Sequence, residues 1–172
     1  MTFSTQRTTF SRKTPTIIGD WLDVTVSIRP AAETDLPALA RMNKRLIDDE
    51  GSRNPMPVEA LQARMQAWLS ADWRIDLFLH EAAVAGYAVY QLRPDEYAPD
   101  QVQVYLRQFY IERDRRGRGL GALAFQALIG SRFPPGSRVV IEALASNPRG
   151  HHFWSKLGFQ SYAATMHFQQ QR

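Results

Sequence analysis

Arg115-Arg116-Gly117-Arg118-Gly119-Leu120-Gly121 lies between an extended apolar run and a stretch with helical spacing. Upstream, Gln101–Ile111 reads as a strand, alternating through Val102, Val104 and Leu106 before Phe109 and Ile111 take the other parity. Downstream, Leu120, Leu123, Ala124, Ala127 and Leu128 make a packing stripe for a helix over 117–130. A glycine-rich turn from strand into helix suits an anion, because glycine lets the backbone approach a ligand and a helix start carries unpaired N–H groups. Arg116 and Arg118 would add charge-assisted hydrogen bonds to phosphate. The plainer alternative is a helix start with solvated arginines. The segment lacks the Gly-x-Gly-x-x-Gly of dinucleotide sites and the Lys-Ser/Thr end of a mononucleotide loop. The parity change after Leu106 means either a strand buried on both faces or a bulge that shifts its register.

Outward from this segment, strands are expected at Val24–Arg29, Ile75–His80 and Val84–Leu92, the last two forming a hairpin about Ala82–Ala83. A helix capped by Thr34 runs to Asp48-Asp49-Glu50 before Gly51, and a second covers Val58–Ala71. Beyond the glycine-rich turn come a strand at Val139–Leu144, a helix from Asn147 to Leu157 stopped by Gly158, and a last strand at Gln160–Phe168. Strands flanking single helices give an α/β class with a mixed sheet and helices on its faces. The 172 residues suffice for one domain, spanning 21–172. Residues 1–20, rich in Thr, Ser and Arg, read as a flexible or partner-contacting arm.

With no cysteine, disulfide scaffolds, thiolate metal sites and cysteine nucleophiles are excluded. The isolated histidines form no metal constellation, so no metal is expected. No apolar run approaches membrane-spanning length and the first residues lack a signal-peptide core, so a cytoplasmic protein without membrane association is expected. The net charge of +4 concentrates in Arg107–Arg118, where five arginines face Glu112 and Asp114. That patch suits a phosphate but is too compact for a nucleic-acid groove.

Arg116, Gly119 and Gly121 match the Arg/Gln-x-x-Gly-x-Gly/Ala signature, and the segment resembles that of the GCN5-related N-acetyltransferase (GNAT) superfamily. A second resemblance follows in order: Asn147, a small residue at Gly150, then Phe153-Trp154-Ser155-Lys156-Leu157-Gly158-Phe159. The early amphipathic helices fit as well, so the resemblance runs over about residues 23–168. The resemblance implies a mostly antiparallel sheet with a bulged central strand, which would account for the parity change. It also implies an acetyl-CoA site: Gly117, Arg118, Gly119, Leu120 and Gly121 with Arg116 around the pyrophosphate, and Phe109, Tyr110 and Ile111 along pantetheine and acetyl. Asn147, Gly150, Phe153 and Trp154 would flank the cofactor arm.

The implied chemistry is direct acetyl transfer from a thioester to a primary amine, with a base to take the ammonium proton. Many relatives place a tyrosine where this chain has Trp154, whose indole is no general acid. Tyr110 and Tyr162 are the substitutes considered for it. Asp49, Glu50 and Asn54 are expected to bind the acceptor, with Glu50 also the candidate base, and their acidity favours a small cationic amine. A solvated helix end is the alternative for that cluster. A protein N-terminus or lysine as acceptor, and a non-catalytic acyl-CoA sensor, are the competing functions. Pairing of two copies is left open.

Overall fold

The protein is described by a computed structural model covering residues 25–170; the expected arm at 1–20 lies outside the described residues. The elements run β1 (Ser27–Pro30), α1 (Leu36–Asp49), α2 (Val58–Leu69), β2 (Arg74–His80), β3 (Ala83–Pro94), β4 (Val102–Ile111), α3 (Leu120–Ser131), β5 (Arg138–Ile141) and α4 (Pro148–Lys156). The sheet has five strands in the order β1-β2-β3-β4-β5. Its neighbours are antiparallel except β4 and β5, which are parallel.

Alternation along the strands divides the core between two faces. Ile75, Leu77, Tyr87, Val89 and Tyr110 pack on one side with Leu36, Leu39, Met42 and Leu46 of α1 and Met65 of α2. Phe78, Ala88, Tyr90, Val104, Leu106 and Ile111 pack on the other with Leu120, Ala124, Phe125 and Leu128 of α3. The parity change is a bulge. Val89 pairs with Gln108 and Tyr90 with Leu106, leaving Arg107 as the extra residue. The inserted residue returns Phe109 and Ile111 to the face of Val104 and Leu106.

The bulged end of β4 also requires a close approach. A Cβ on Gly86, opposite Ile111, would lie 2.1 Å from the Tyr110 carbonyl oxygen. Only a residue without a side chain lets β3 and β4 meet there.

Three expectations need correction. Helix α3 begins at Leu120 rather than Gly117, because Gly117 and Gly119 hold φ of +81° and +77° and keep the backbone out of the helix. The hairpin turns at Glu81–Ala82, both with positive φ, one residue before the expected connection. Gln160–Phe168 forms no strand: its backbone pairs with no neighbour, and Tyr162, Met166 and Phe168 stand exposed. Alternating polarity marks a segment able to pair, but pairing needs an available partner strand.

Candidate functional site

Strands β4 and β5 pair only from Gln103–Arg138 to Leu106–Ile141. Beyond that, β4 continues to Ile111 while β5 has ended, so the sheet opens into a fork. Glu112 gives its N–H to Ala85 of β3, whereas the Ile111 carbonyl faces the other way and accepts from Arg116 Nε at 2.8 Å. By strand alternation, Phe109 also turns its backbone N–H and C=O toward the open side. The bulge at Arg107 therefore gives the fork a backbone donor.

The glycine-rich turn lies at the end of the same strand. Gly119 caps α3 in the left-handed conformation, and a Cβ on Gly117 or Gly119 would meet nothing within 4 Å. The need for glycine is thus conformational, and the space before the helix is open to a ligand. Gly121 differs: its Cβ would come 3.0 Å from the Phe153 ring, so it lets α3 approach α4. Arg118 makes no ion pair among the described residues and is exposed beside this space. These features fit a pyrophosphate: a helix start, two left-handed glycines and an available guanidinium.

Arg116 has a different place from the one expected. Its guanidinium donates to Asp49 Oδ2 at 2.6 Å and lies 5.0 Å from the Tyr110 ring centre, so it ties the turn to α1. Asp49 also accepts from Arg113. Burial raises the Asp49 carboxyl, but the hydrogen bonds from Arg113 and Arg116 outweigh it and hold the group below its ordinary value. Asp48 is paired with Lys44. Only Glu50 of the acidic cluster makes no ion pair among the described residues. Burial raises its carboxyl, and the neighbouring Asp49 charge adds to the shift. Asn54 caps its own loop, accepting from the Met56 N–H at 3.0 Å.

The candidate acids are not brought to the fork. After the bulge, Tyr110 points into the α1 face and is 1% exposed; its hydroxyl donates to Glu112, which Arg45 holds at 2.7 Å. Burial raises this phenol and the Glu112 charge raises it further. Tyr162 lies against the Arg138 guanidinium, at the end of the β4–β5 pairing opposite Gln103 and three register positions from its other end at Leu106, where the fork opens. Trp154 packs among Phe109, Phe125, Phe153 and Phe159, with centroids 4.8–5.6 Å away. Phe153 stacks on Phe109 at 5.8 Å. Asn147 accepts from the Gly150 N–H at 2.8 Å as the cap of α4, and a side chain at Gly150 would collide with it. These four residues build the wall of the fork.

Sequence reasoning missed a polar group between β4 and the helices α1 and α2. Asn43 of α1 is fully buried and accepts from Arg64 of α2. Tyr87 donates to Gln108 at 3.0 Å, while Arg64 and Arg107 both lie against Trp68. A buried asparagine on an apolar helix stripe was the available signal. No group of acidic or histidine residues able to hold a metal occurs among the described residues. Among the same residues no helix is long and apolar enough to cross a membrane.

Residues 43–159 match the Acetyltransferase (GNAT) family. An L-methionine sulfoximine/L-methionine sulfone acetyltransferase of Pseudomonas paraeruginosa is 34% identical over 145 residues, covering 80% of this chain and 81% of that protein. A possible acetyltransferase from Clostridium difficile 630 superposes with a TM-score of 0.66 at 15% identity, over 86% of this chain and 99% of that one. A predicted acetyltransferase from Clostridium acetobutylicum, solved with acetyl-CoA, gives 0.64 at 16% identity, over 84% and 96%.

Proposed function

The chain belongs to the acetyltransferase (GNAT) family and is an acetyl-CoA-dependent N-acetyltransferase, and on that premise we propose that its acceptor is the primary amine of a small amino acid. One observation carries the catalytic part of this reading: the open, bulged edge of β4 and the left-handed glycines ahead of α3 adjoin one another, and α1, tied to that turn by Asp49 and Arg116, is followed by a Glu50 carboxyl free of ion pairs among the described residues. Support for the acceptor class comes from the Pseudomonas relative, named for the acetylation of two methionine derivatives. The ion pairs of Asp48 and Asp49 remove most of the negative charge that favoured a purely cationic amine.

Acetyl-CoA supplies the acetyl group as a thioester. Backbone N–H groups from Gly117 to Leu120, with the Arg118 guanidinium, would hold its pyrophosphate. The Phe109 N–H, on the open side of the fork, would be the donor available to the acetyl carbonyl oxygen, stabilising negative charge there. Glu50 removes the ammonium proton, directly or through one water, and its raised pKa makes it a better base than an ordinary glutamate. With Tyr110 engaged, Tyr162 remote and Trp154 in the wall, solvent protonates the departing sulfur. Trp154 acts as packing, so its presence gives no reason to prefer a non-catalytic sensor. The competing protein-acetylating role has no such support from the Pseudomonas relative, whose named acceptors are small molecules.

The test is mass spectrometry of pooled amines, amino acids and peptides incubated with the protein and acetyl-CoA. An acetyl mass gain confined to amino acids is expected. Acetylation of peptides or polyamines alone would overturn the acceptor assignment.

A further inference from the structure

Arg64 and Arg107 approach the same indole from two elements, their guanidinium carbons 4.9 Å and 5.5 Å from the Trp68 ring centre. Neither forms an ion pair among the described residues, although Arg45, Arg113 and Arg116 nearby all do. Two guanidinium groups sharing one aromatic ring repel each other, and an anion between them would relieve that repulsion. Burial, and then the Arg107 charge, lowers the Arg64 pKa, which is that repulsion felt at Arg64.

Part of the donor set around the pair is also unused. Arg64 donates from one Nη to Asn43 Oδ1 and from the other to Met56 Sδ at 3.5 Å, but its Nε is buried without a partner. Asn43, fully buried, has an unpartnered Nδ2. Unpaired buried donors are costly, and two of them at one arginine–asparagine contact mark a place for an acceptor. Arg107 makes only a long 3.4 Å contact to the Tyr105 hydroxyl.

This cationic group adjoins the reaction centre. Arg107 is the bulged residue itself, two positions before the open backbone of Phe109. Gln108, between them, accepts from Tyr87. We propose that Arg64 and Arg107, with Asn43 beneath them, form a carboxylate subsite that selects α-amino acids as acceptors. The amine and carboxylate of an α-amino acid share one carbon, so a carboxylate held at Arg107 keeps the amine beside the Phe109 N–H and within reach of Glu50. An amine lacking the carboxylate leaves the guanidinium pair uncompensated. This assignment rests on the amino-acid acceptor proposed for the same site and names the residues that enforce it.

The experiment is titration calorimetry on the full chain saturated with coenzyme A, using the common L-amino acids and L-methionine sulfone, each beside its primary amide. At least one acid should bind about tenfold or more tightly than its amide, the effect of one good charge-assisted contact. Arg107→Gln, at an exposed position, should bring that ratio to within about threefold, with Arg107→Lys recovering part of it. Arg64→Gln should act in the same direction. Equal binding of every acid and its amide, or a ratio unchanged in Arg107→Gln, would overturn the subsite. Acetyl transfer is scored separately: transfer without carboxylate discrimination removes the subsite alone, and discrimination without transfer removes the catalytic reading alone.

Discussion

Asp49 and Arg116 meet at 2.6 Å, joining the end of α1 to the turn that precedes α3 across 67 residues of sequence. Arg116 also holds the Ile111 carbonyl, so one guanidinium fixes the last residue of β4, the glycine turn and the end of α1 together. Asp49→Asn should therefore weaken coenzyme A binding several-fold while changing the acceptor KM little. Thermal stability should fall only modestly, since partly exposed pairs are worth roughly 0–1 kcal/mol. The sign with pH follows from the depressed Asp49 pKa: its contribution is complete above the ordinary carboxylate range and disappears as pH falls through the lower folded value. Coenzyme titration of both proteins checks this. An acceptor KM that rises while coenzyme affinity stays constant would return Asp49 to the acceptor site.

Gly119 separates a strained backbone from an obstructed one. Its φ of +77° penalises any side chain, whereas a Cβ there meets nothing in the protein alone. Gly119→Ala should cost about 1–2 kcal/mol of stability, the usual penalty of a left-handed residue. Gly119→Asn, more tolerant of that conformation, should cost less. Both should bind coenzyme A more weakly than their stability loss explains, because the added atoms enter the space assigned to phosphate. Comparing unfolding midpoints with coenzyme Kd values decides it; wild-type affinity in folded Gly119→Ala would clear the turn of that role.

Glu50 should show itself in the pH profile. A raised carboxyl pKa puts the rising limb of kcat/KM above the ordinary glutamate value of about 4.3, and Glu50→Gln should remove that limb along with roughly 10²–10⁴-fold of rate. Stability moves the opposite way. A raised acid is stabilised in its protonated form, so its contribution to folding declines as pH rises through the folded pKa. Glu50→Gln should therefore be no less stable than the parent at neutral pH. An unchanged profile in the variant would assign the base to another group.

What the sequence made legible was what local pattern encodes. The apolar parity of β4 left a bulge or a strand buried on both faces, the family resemblance favoured the bulge, and the glycines of 117–121 pointed to the strand-to-helix turn. Pairing between distant segments was not legible. Asp48-Asp49-Glu50 looks like one acidic site until Lys44, Arg113 and Arg116 are seen to occupy its first two members. Tyr110 looks available for chemistry until the bulge fixes which face it points to. Gly86 carries no local turn signal, because the atom that requires it belongs to Tyr110 on another strand. Gln160–Phe168 shows the converse: an alternating pattern makes a strand only where another backbone receives it.

The β2–β3 turn offers a stability test remote from this chemistry. Glu81 and Ala82 have φ of +52° and +61°, the two left-handed positions of a tight hairpin turn, yet neither is a residue that favours them. The flanking register is already set by His80 opposite Ala83, so the strands impose the turn on an unsuitable pair. Replacing Glu81-Ala82 with Asn-Gly should relieve about 1–2 kcal/mol of backbone strain. For a chain of this size that is roughly 3–6 °C in Tm. The replacement also removes the Glu81 carboxylate, which reaches Arg115 only at 3.9 Å and His80 at 3.8 Å. That side chain is 78% exposed, so its removal should subtract little. Acetyl transfer and coenzyme affinity should be unchanged. Calorimetric unfolding with a parallel activity assay checks both statements, and an unchanged or lower Tm would show that the ends of β2 and β3 hold this turn without strain.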